Sequence, residues 1–357
     1  MSRNPITKVR AKGDAFAIGH ALGKASAEAL VTRVFATEEY RALDAQWRGS
    51  DYLGQLKAAA RTSYPAYLRE IEGIAAGAGQ DFETIFLWNC RGDLRLPADV
   101  SPAVAEAAAS GCTTIQIPAK DGAPAIIAHN EDGASELLGA CLWIEAEPDG
   151  EAPWQSFMYP GMLPGHTFGL NASGVIQTIN NIRAHDLKPG IPRQIICRAI
   201  LDSRSLDAAI EILQRADRAS GFHHNLGEAG SQRIASVEAP ASGCHVRITD
   251  APLAHANHLL EEEFARLDQL ITESSRNRQD AADRMIADGV LSRGGAEDIL
   301  FDERTPIHCD KDARDDYAQT LATGVFQLHP DRVEWTVHAG PDERAALSGS
   351  VSIATAA

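Results

Sequence analysis

The hydrophobic period of the chain changes at Ser110-Gly111-Cys112-Thr113-Thr114-Ile115, and that change sets the fold class. Before it, residues 13–36 and 55–78 are rich in Ala, Leu, Glu and Lys, with apolar side chains such as Tyr67, Ile71 and Ile74 at helical spacing. Pro65 kinks or divides the second block, and Asp81 is placed to cap a third helix through Phe82, Ile85, Phe86 and Trp88. The first hundred residues therefore read as mostly helical. From Pro97 to Gly111 the sequence PADVSPAVAEAAASG has the Pro, Ala and Ser content of an exposed connector. Beyond it, CTTIQIPA and PAIIAHNED read as two strands around Asp121-Gly122, a dipeptide suited to a two-residue hairpin turn.

Further strands follow in CLWIEAE, TFGLNASGVIQTIN, RIASVEA and GVFQL to VEWTVHAG, with a turn at Asn171-Ala172-Ser173-Gly174. Two helical blocks interrupt them, residues 193–219 and 259–288, the second carrying Leu260, Phe264, Leu267 and Ile271 as an apolar stripe. Strands joined by tight turns pair antiparallel, and grouped helices cover the sheets from outside. The expectation is an α+β architecture of layered antiparallel sheets rather than alternating βαβ units. There is no repeat of fixed period and no phosphate-cradling glycine motif.

With 357 residues and 44% hydrophobic content the chain can bury a large core. Its formal charge of −16 argues against nucleic acid as a partner, which selects for basic patches, and favours a neutral or cationic ligand. The N-terminus has no apolar signal region and no apolar run is long enough to span a bilayer, so a cytoplasmic location with no membrane partner is expected. The six cysteines (90, 112, 141, 197, 244 and 309) form no C-x-x-C pair and read as reduced. His223 and His224 are adjacent and face opposite sides of a strand, and His255 and His258, spaced for a helix turn, lack a partner acid. No metal site and no cofactor are expected.

If Asp121 and Gly122 form the hairpin loop, Lys120 pairs with Ala123 and Cys112 falls opposite Glu131, beside Asn130 and Asp132. Cross-strand neighbours lie about 4.5–5.5 Å apart, and His129 on the same partner strand could approach. A carboxylate alone raises a thiol's pKa and makes a poor nucleophile of it, so a base is missing. Cleavage before Cys112 would create one, an α-amine with a pKa of about 7.7–8.0 against roughly 8.5 for the thiol, held by Asp132. Gly111, tolerant of strained backbone, suits the cut. A small residue opening a buried strand is the alternative for Cys112.

SGCTTI, HNED, GLNASGV and HANH, in this order, resemble the acyl-coenzyme A:6-aminopenicillanic acid acyltransferase family of self-processing N-terminal-nucleophile hydrolases, and the likeness covers most of the chain. The resemblance implies an αββα sandwich, autocatalytic cleavage at Gly111-Cys112, and a helical segment 1–111 and catalytic segment 112–357 joined in one intertwined domain. It also implies Cys112 as nucleophile, Asp132 orienting its amine, and Asn257 in the oxyanion hole. Asn180 is either a second pocket wall or an ordinary strand-ending residue, and Asn130 and His129 are further pocket candidates. Where the penicillin-forming enzyme has an arginine this chain has Tyr317, with Arg314 three residues earlier. HNED and PGHTFGLN look closer to the amidase-like branch with the insect N-β-alanyl amine hydrolases.

Three functions stay open: a cysteine amidohydrolase acting on a small-molecule N-acyl or aminoacyl amide through a thioester, an acyltransferase delivering the acyl group to an amine, and an unprocessed binding protein. The partners expected are the small-molecule amide and the α and β chains of one precursor; a homo-oligomer is compatible.

Overall fold

The computed structural model describes residues 5–98, 100, 111–215, 217–289, 293–302, 304, 307–309, 318–340 and 345–353. The N-terminal segment runs β1 (Thr7–Gly13), α1 (Ala15–Ala29), α2 (Glu38–Trp47), α3 (Asp51–Ser63), α4 (Pro65–Ala78) and α5 (Phe82–Asn89). Asp14, Thr37, Ser50 and Asp81 cap α1, α2, α3 and α5 by accepting from backbone N–H groups of the first turn. Pro65 opens α4 at a position where its missing N–H costs nothing, and Gly79, at φ 66°, closes it. The expected helical character holds, except that β1 was hidden by it. Val9 and Ala11 alternate with Lys8, Arg10 and Lys12, a period-two signal directly before the helical block.

The chain after Gly111 runs β2 (Thr113–Ile117), β3 (Ala125–Ala134), β4 (Leu142–Pro148), β5 (Trp154–Met158), β6 (Phe168–Asn171) and β7 (Val175–Asn181). Next come α6 (Arg193–Leu201), α7 (Leu206–Leu213), β8 (Phe222–Glu228), β9 (Arg233–Ala239), β10 (His245–Ile248) and β11 (Leu253–His255). It closes with α8 (Glu273–Ala287), α9 (Arg293–Leu300), β12 (Ala318–Leu328), β13 (Arg332–His338) and β14 (Leu347–Ser352). One sheet has the order β1-β4-β5-β6-β7-β8-β9-β10, the other β11-β2-β3-β12-β13-β14. All pairings are antiparallel except β1 with β4, which is parallel and sews the N-terminal segment into the larger sheet.

The sheets face each other. Trp143 of β4 packs on Trp335 of β13 with ring centroids 4.4 Å apart, and Phe168 of β6 meets Phe326 of β12 edge-on at 6.0 Å. Elsewhere the contact is polar: Thr114 of β2 donates to Asn180 of β7 at 2.8 Å, and Gln116 donates to Asn225 of β8 at 2.8 Å. The helices α1, α6 and α7 pack on the eight-stranded sheet, and α8 and α9 on the six-stranded one. This is the expected four-layer helix–sheet–sheet–helix sandwich.

The helix expected over 259–288 is shorter, starting at Glu273 behind its Thr272 cap. The backbone N–H groups of Leu260 and Glu261 donate to the Glu238 carboxylate at 2.6 and 3.2 Å, and Asn257 N donates to Ser275 Oγ at 2.9 Å. Side chains take the donors that a helix would need, and Leu260 is left 45% exposed. His255 therefore ends a strand, and His258 lies beyond it in a loop rather than on a helical turn. The block 193–219 divides into α6 and α7, the latter capped by Ser205. Arg314 and Tyr317 lie outside the described residues, as do 101–110 of the connector. Among the described residues no helix is long and apolar enough to cross a membrane.

Candidate active site

The β2–β3 hairpin turns at Asp121 (φ 51°) and Gly122 (φ 84°), the left-handed pair of a type I′ turn, with Lys120 bridged to Ala123. Thr113 pairs with Asn130 and Thr114 with His129, so one further step carries Cys112 opposite Glu131, as the turn predicts. Cys112 Sγ lies 3.6 Å from Glu131 Oε2. Cys112 is buried, at the wall of a cavity of about 770 Å³ that Gly111, Glu131, Asp132, Trp88, Tyr159 and Arg183 also line. Acidic Glu39, Glu136 and Asp268 share this lining with Arg33, Arg91, Arg95 and Arg193.

Gly111 is held by the space around it. A Cβ there would stand 2.3 Å from Asn257 Nδ2 and 2.4 Å from its Cγ. The Asn257 carboxamide thus lies flat against the residue whose carbonyl precedes the cysteine. Its orientation is fixed by Arg278 of α8, whose Nη2 donates to Asn257 Oδ1 at 2.5 Å while Nη1 donates to the Cys112 carbonyl at 2.6 Å and to Thr113 Oγ1 at 2.9 Å. With Oδ1 occupied, the Asn257 NH2 is the end left to donate, and it reaches Asn181 O at 3.0 Å. Sequence reasoning missed Arg278, because the segment ESSRNRQDAADRMIA shows no feature that separates this buried arginine from its exposed neighbours.

Asp132 follows Glu131 at a register shift in the β3–β12 ladder, where Asp132 pairs with Thr320 and Glu131 with Ala322. The bulge aims Asp132 at the Thr320 hydroxyl, which donates to Oδ1 at 2.6 Å, and Cys309 Sγ lies 3.9 Å from Oδ2. Burial pushes the Asp132 carboxyl up to about 7, with Arg278 and the Thr320 hydroxyl opposing. Burial, followed by the Glu131 and Asp132 carboxylates, holds the Cys112 thiol well above its ordinary value. In the uncleaved chain the thiol is protonated.

Behind the thiol runs a buried hydrogen-bond chain. Tyr159 donates to Glu131 Oε1, His129 Nε2 lies 3.1 Å from Glu131 Oε2, and His129 Nδ1 lies 2.7 Å from Thr114 Oγ1. Among the described residues, Cys112, His129 and Glu131 bring one donor atom each within 4.8 Å of one another, the spacing of a metal cluster. They are already joined as a hydrogen-bond chain.

His129, Asn130 and Asn180 do not line the cavity. Asn130 faces the helix layer, donating to Leu300 O at 2.7 Å and accepting from Thr323 at 2.6 Å. Asn180 is spent between the sheets, accepting from Thr114 and Asn225 and donating to His255 O. The next residue, Asn181, is the one that reaches the cavity, because successive side chains of a strand point to opposite faces.

The sequence model of the family described as "Acyl-coenzyme A:6-aminopenicillanic acid acyl-transferase" matches residues 118–342, well over half of the chain. The chain belongs to this family. The match starts six residues after Cys112, so the case for Cys112 rests on the geometry above. Family membership makes the protein an enzyme of amide hydrolysis or acyl transfer. A beta-alanyl-dopamine/carcinine hydrolase of Drosophila melanogaster is 27% identical over 340 residues, covering 88% of this chain and 87% of that one. The 40 kDa form of the acyl-coenzyme A:6-aminopenicillanic-acid acyltransferase of Emericella nidulans is 26% identical over 211 residues, 58% of this chain and 56% of that one. A mutant of the conjugated bile acid hydrolase of Clostridium perfringens aligns with 68% of this chain and 92% of its own at a TM-score of 0.42 and 10% identity.

Proposed function

We propose that the protein is a self-processed cysteine amidohydrolase that cleaves a small-molecule N-acyl amide, with an aminoacyl amide as the leading substrate class. One observation carries the reading: Cys112 opens a strand at the wall of a cavity, with the Asn257 carboxamide against the preceding glycine. Cleavage at Gly111-Cys112 gives the chains 1–111 and 112–357 and frees an α-amine on the nucleophile itself. That amine takes the thiol proton, the thiolate attacks the substrate carbonyl, and the protonated amine delivers its proton to the leaving amine. Water then resolves the thioester. Asp132 suits the task of orienting the amine, because a new ammonium beside it favours the carboxylate that burial alone disfavours.

Asn257 supplies a neutral donor to the oxyanion, and Arg278, by occupying Oδ1, leaves the NH2 as the end beside Gly111 that can donate. Losing such a donor costs about 10²–10³ in kcat. The aminoacyl class draws on the Drosophila hydrolase. The Emericella acyltransferase supports a second reading, in which an amine rather than water resolves the thioester.

Intact-mass measurement tests the processing. The wild-type chain should give 1–111 and 112–357 and Cys112→Ala should stay whole; an uncleaved chain with full turnover overturns the mechanism, and a chain with neither is the binding protein. In the cleaved enzyme, Asn257→Ala should lower turnover of small aminoacyl amides by the factor above. Adding acceptor amines separates the two readings, since only a transferase forms the new amide.

A further inference from the structure

The mature enzyme of the proposed mechanism carries its own base, but the precursor cannot use it. Before cleavage the nitrogen of Cys112 is an amide nitrogen, whose lone pair is delocalised into the Gly111 carbonyl and does not take a proton. The first turn of the mechanism, the cut at Gly111-Cys112, therefore needs a different base, and the thiol it must act on is held protonated by burial.

We propose that Glu131 is the catalytic base of self-processing, distinct from the α-amine that serves the mature enzyme; the inference rests on the self-processing reading above. Among the described residues Glu131 is the side chain whose oxygen meets Cys112 Sγ, at 3.6 Å. Asp132 is engaged elsewhere: its two carboxyl oxygens face Thr320 and Cys309, and it meets the thiol through its backbone N–H. His129 points its Nε2 at Glu131 and not at the sulfur. The phenol of Tyr159 donates to Glu131 Oε1 and the Cys112 thiol to Oε2, with His129 Nε2 3.1 Å from Oε2. A carboxylate accepts at both oxygens, so it can take both donors. The Tyr159 phenol and the His129 ring fix its orientation, and Thr114 fixes the ring.

The step balances within the chain. The Cys112 S–H proton passes to Glu131 Oε2 as Sγ bonds to the Gly111 carbonyl carbon, and the carbonyl oxygen takes up the negative charge beside the Asn257 amide. The C–N bond then breaks, and the proton held by Glu131 goes to the departing Cys112 nitrogen. A Gly111 thioester and a free amine result. Water hydrolyses the thioester to the Gly111 carboxylate and the Cys112 thiol, and Glu131 ends as it began. General-base help of this kind contributes about 10²–10⁴ in rate.

The test is pulsed cell-free synthesis of the full chain, with the uncleaved fraction followed by intact mass. Wild type should convert to 1–111 and 112–357. Glu131→Gln, equal in size but unable to take the proton, should convert at least about 100-fold more slowly. Glu131→Ala should be equally slow and should speed up with added formate, which enters the vacated space from the cavity. The unfolding midpoint of uncleaved Glu131→Gln should match that of uncleaved Cys112→Ala, which separates lost chemistry from lost folding. Conversion of Glu131→Gln at the wild-type rate overturns the role of Glu131 while leaving self-processing intact. Failure of formate to accelerate Glu131→Ala also overturns it, whatever Glu131→Gln does. A wild-type chain that never converts fails the processing reading itself.

Discussion

Two residues beside Cys112 work through the space and the solvation they are given. Adding a Cβ at Gly111 would collide with an Asn257 carboxamide that Arg278 and Asn181 both pin. Gly111→Ala is expected to displace that amide and slow conversion of the precursor by about tenfold or more, on the scale of a partly lost oxyanion donor, read by intact mass over time. Asp132 titrates near 7 in the folded chain against about 4 unfolded. Because the folded value is raised, its contribution to stability is fully present below about pH 4 and is lost as the pH rises through about 7. In a Cys112→Ala background, which stays uncleaved, Asp132→Asn should remove a loss on the order of 4 kcal/mol between pH 4 and 8. Denaturant titrations at both pH values check it. Asp93, raised to about 6 by burial, is common to both proteins and drops out of the difference.

At the scale of elements, α1 and α4 cross closer than side chains normally allow. Gly19 and Gly23 of α1 face the carbonyls of Glu70 and Ile74, while Gly73 and Gly77 of α4 face those of Phe16 and His20. A Cβ at any of the four would stand 2.0–2.2 Å from a backbone oxygen. A backbone atom cannot swing aside as a side chain can, so Gly73→Ala should destabilise by about 1–3 kcal/mol or more. Gly54 of α3 is the contrast. It is exposed with nothing within 4 Å of a Cβ, and Gly54→Ala should stabilise by roughly 0.5–1 kcal/mol through helix propensity alone. Urea midpoints of the two variants, expected to move in opposite directions, test both statements.

Over the whole molecule, the segments on either side of Gly111 are built into each other. β1 pairs with β4 over seven residues, from Thr7↔Leu142 to Gly13↔Pro148. Glu70 of α4 and Arg198 of α6 form a buried ion pair at 3.0 Å, and Trp88 and Asn89 of α5 donate to Pro160 O and Gly161 O, each at 3.0 Å. Cutting one peptide bond removes none of these contacts. The chains 1–111 and 112–357 should therefore elute together in size-exclusion chromatography and separate only in denaturant. Glu70→Ala, which strands the Arg198 charge except for Asp202, should cost about 3–5 kcal/mol. It should lower the midpoint at which the chains part.

The layered α+β fold, the hairpin at Asp121-Gly122 and the pairing of Cys112 with Glu131 were legible in the sequence. Each follows from short-range rules: the apolar period, turn chemistry, and counting back along a strand from a turn. β1 was legible but masked by the helical block beside it. Asn130 and Asn180 could not be sorted from Asn181, because which face of a strand meets the cavity depends on what packs against the sheet. Arg278, Tyr159 and the Thr320 hydroxyl that meets Asp132 were invisible for the same reason. Arg278 lies 166 residues from Cys112, and only the packing of α8 on the six-stranded sheet brings its guanidinium to that carbonyl. The sequence alone thus determined which thiol stands beside which carboxylate, since hairpin register is local. The tertiary structure decided which groups reach the thiol and in what protonation state, since burial and long-range contact exist only once the layers close.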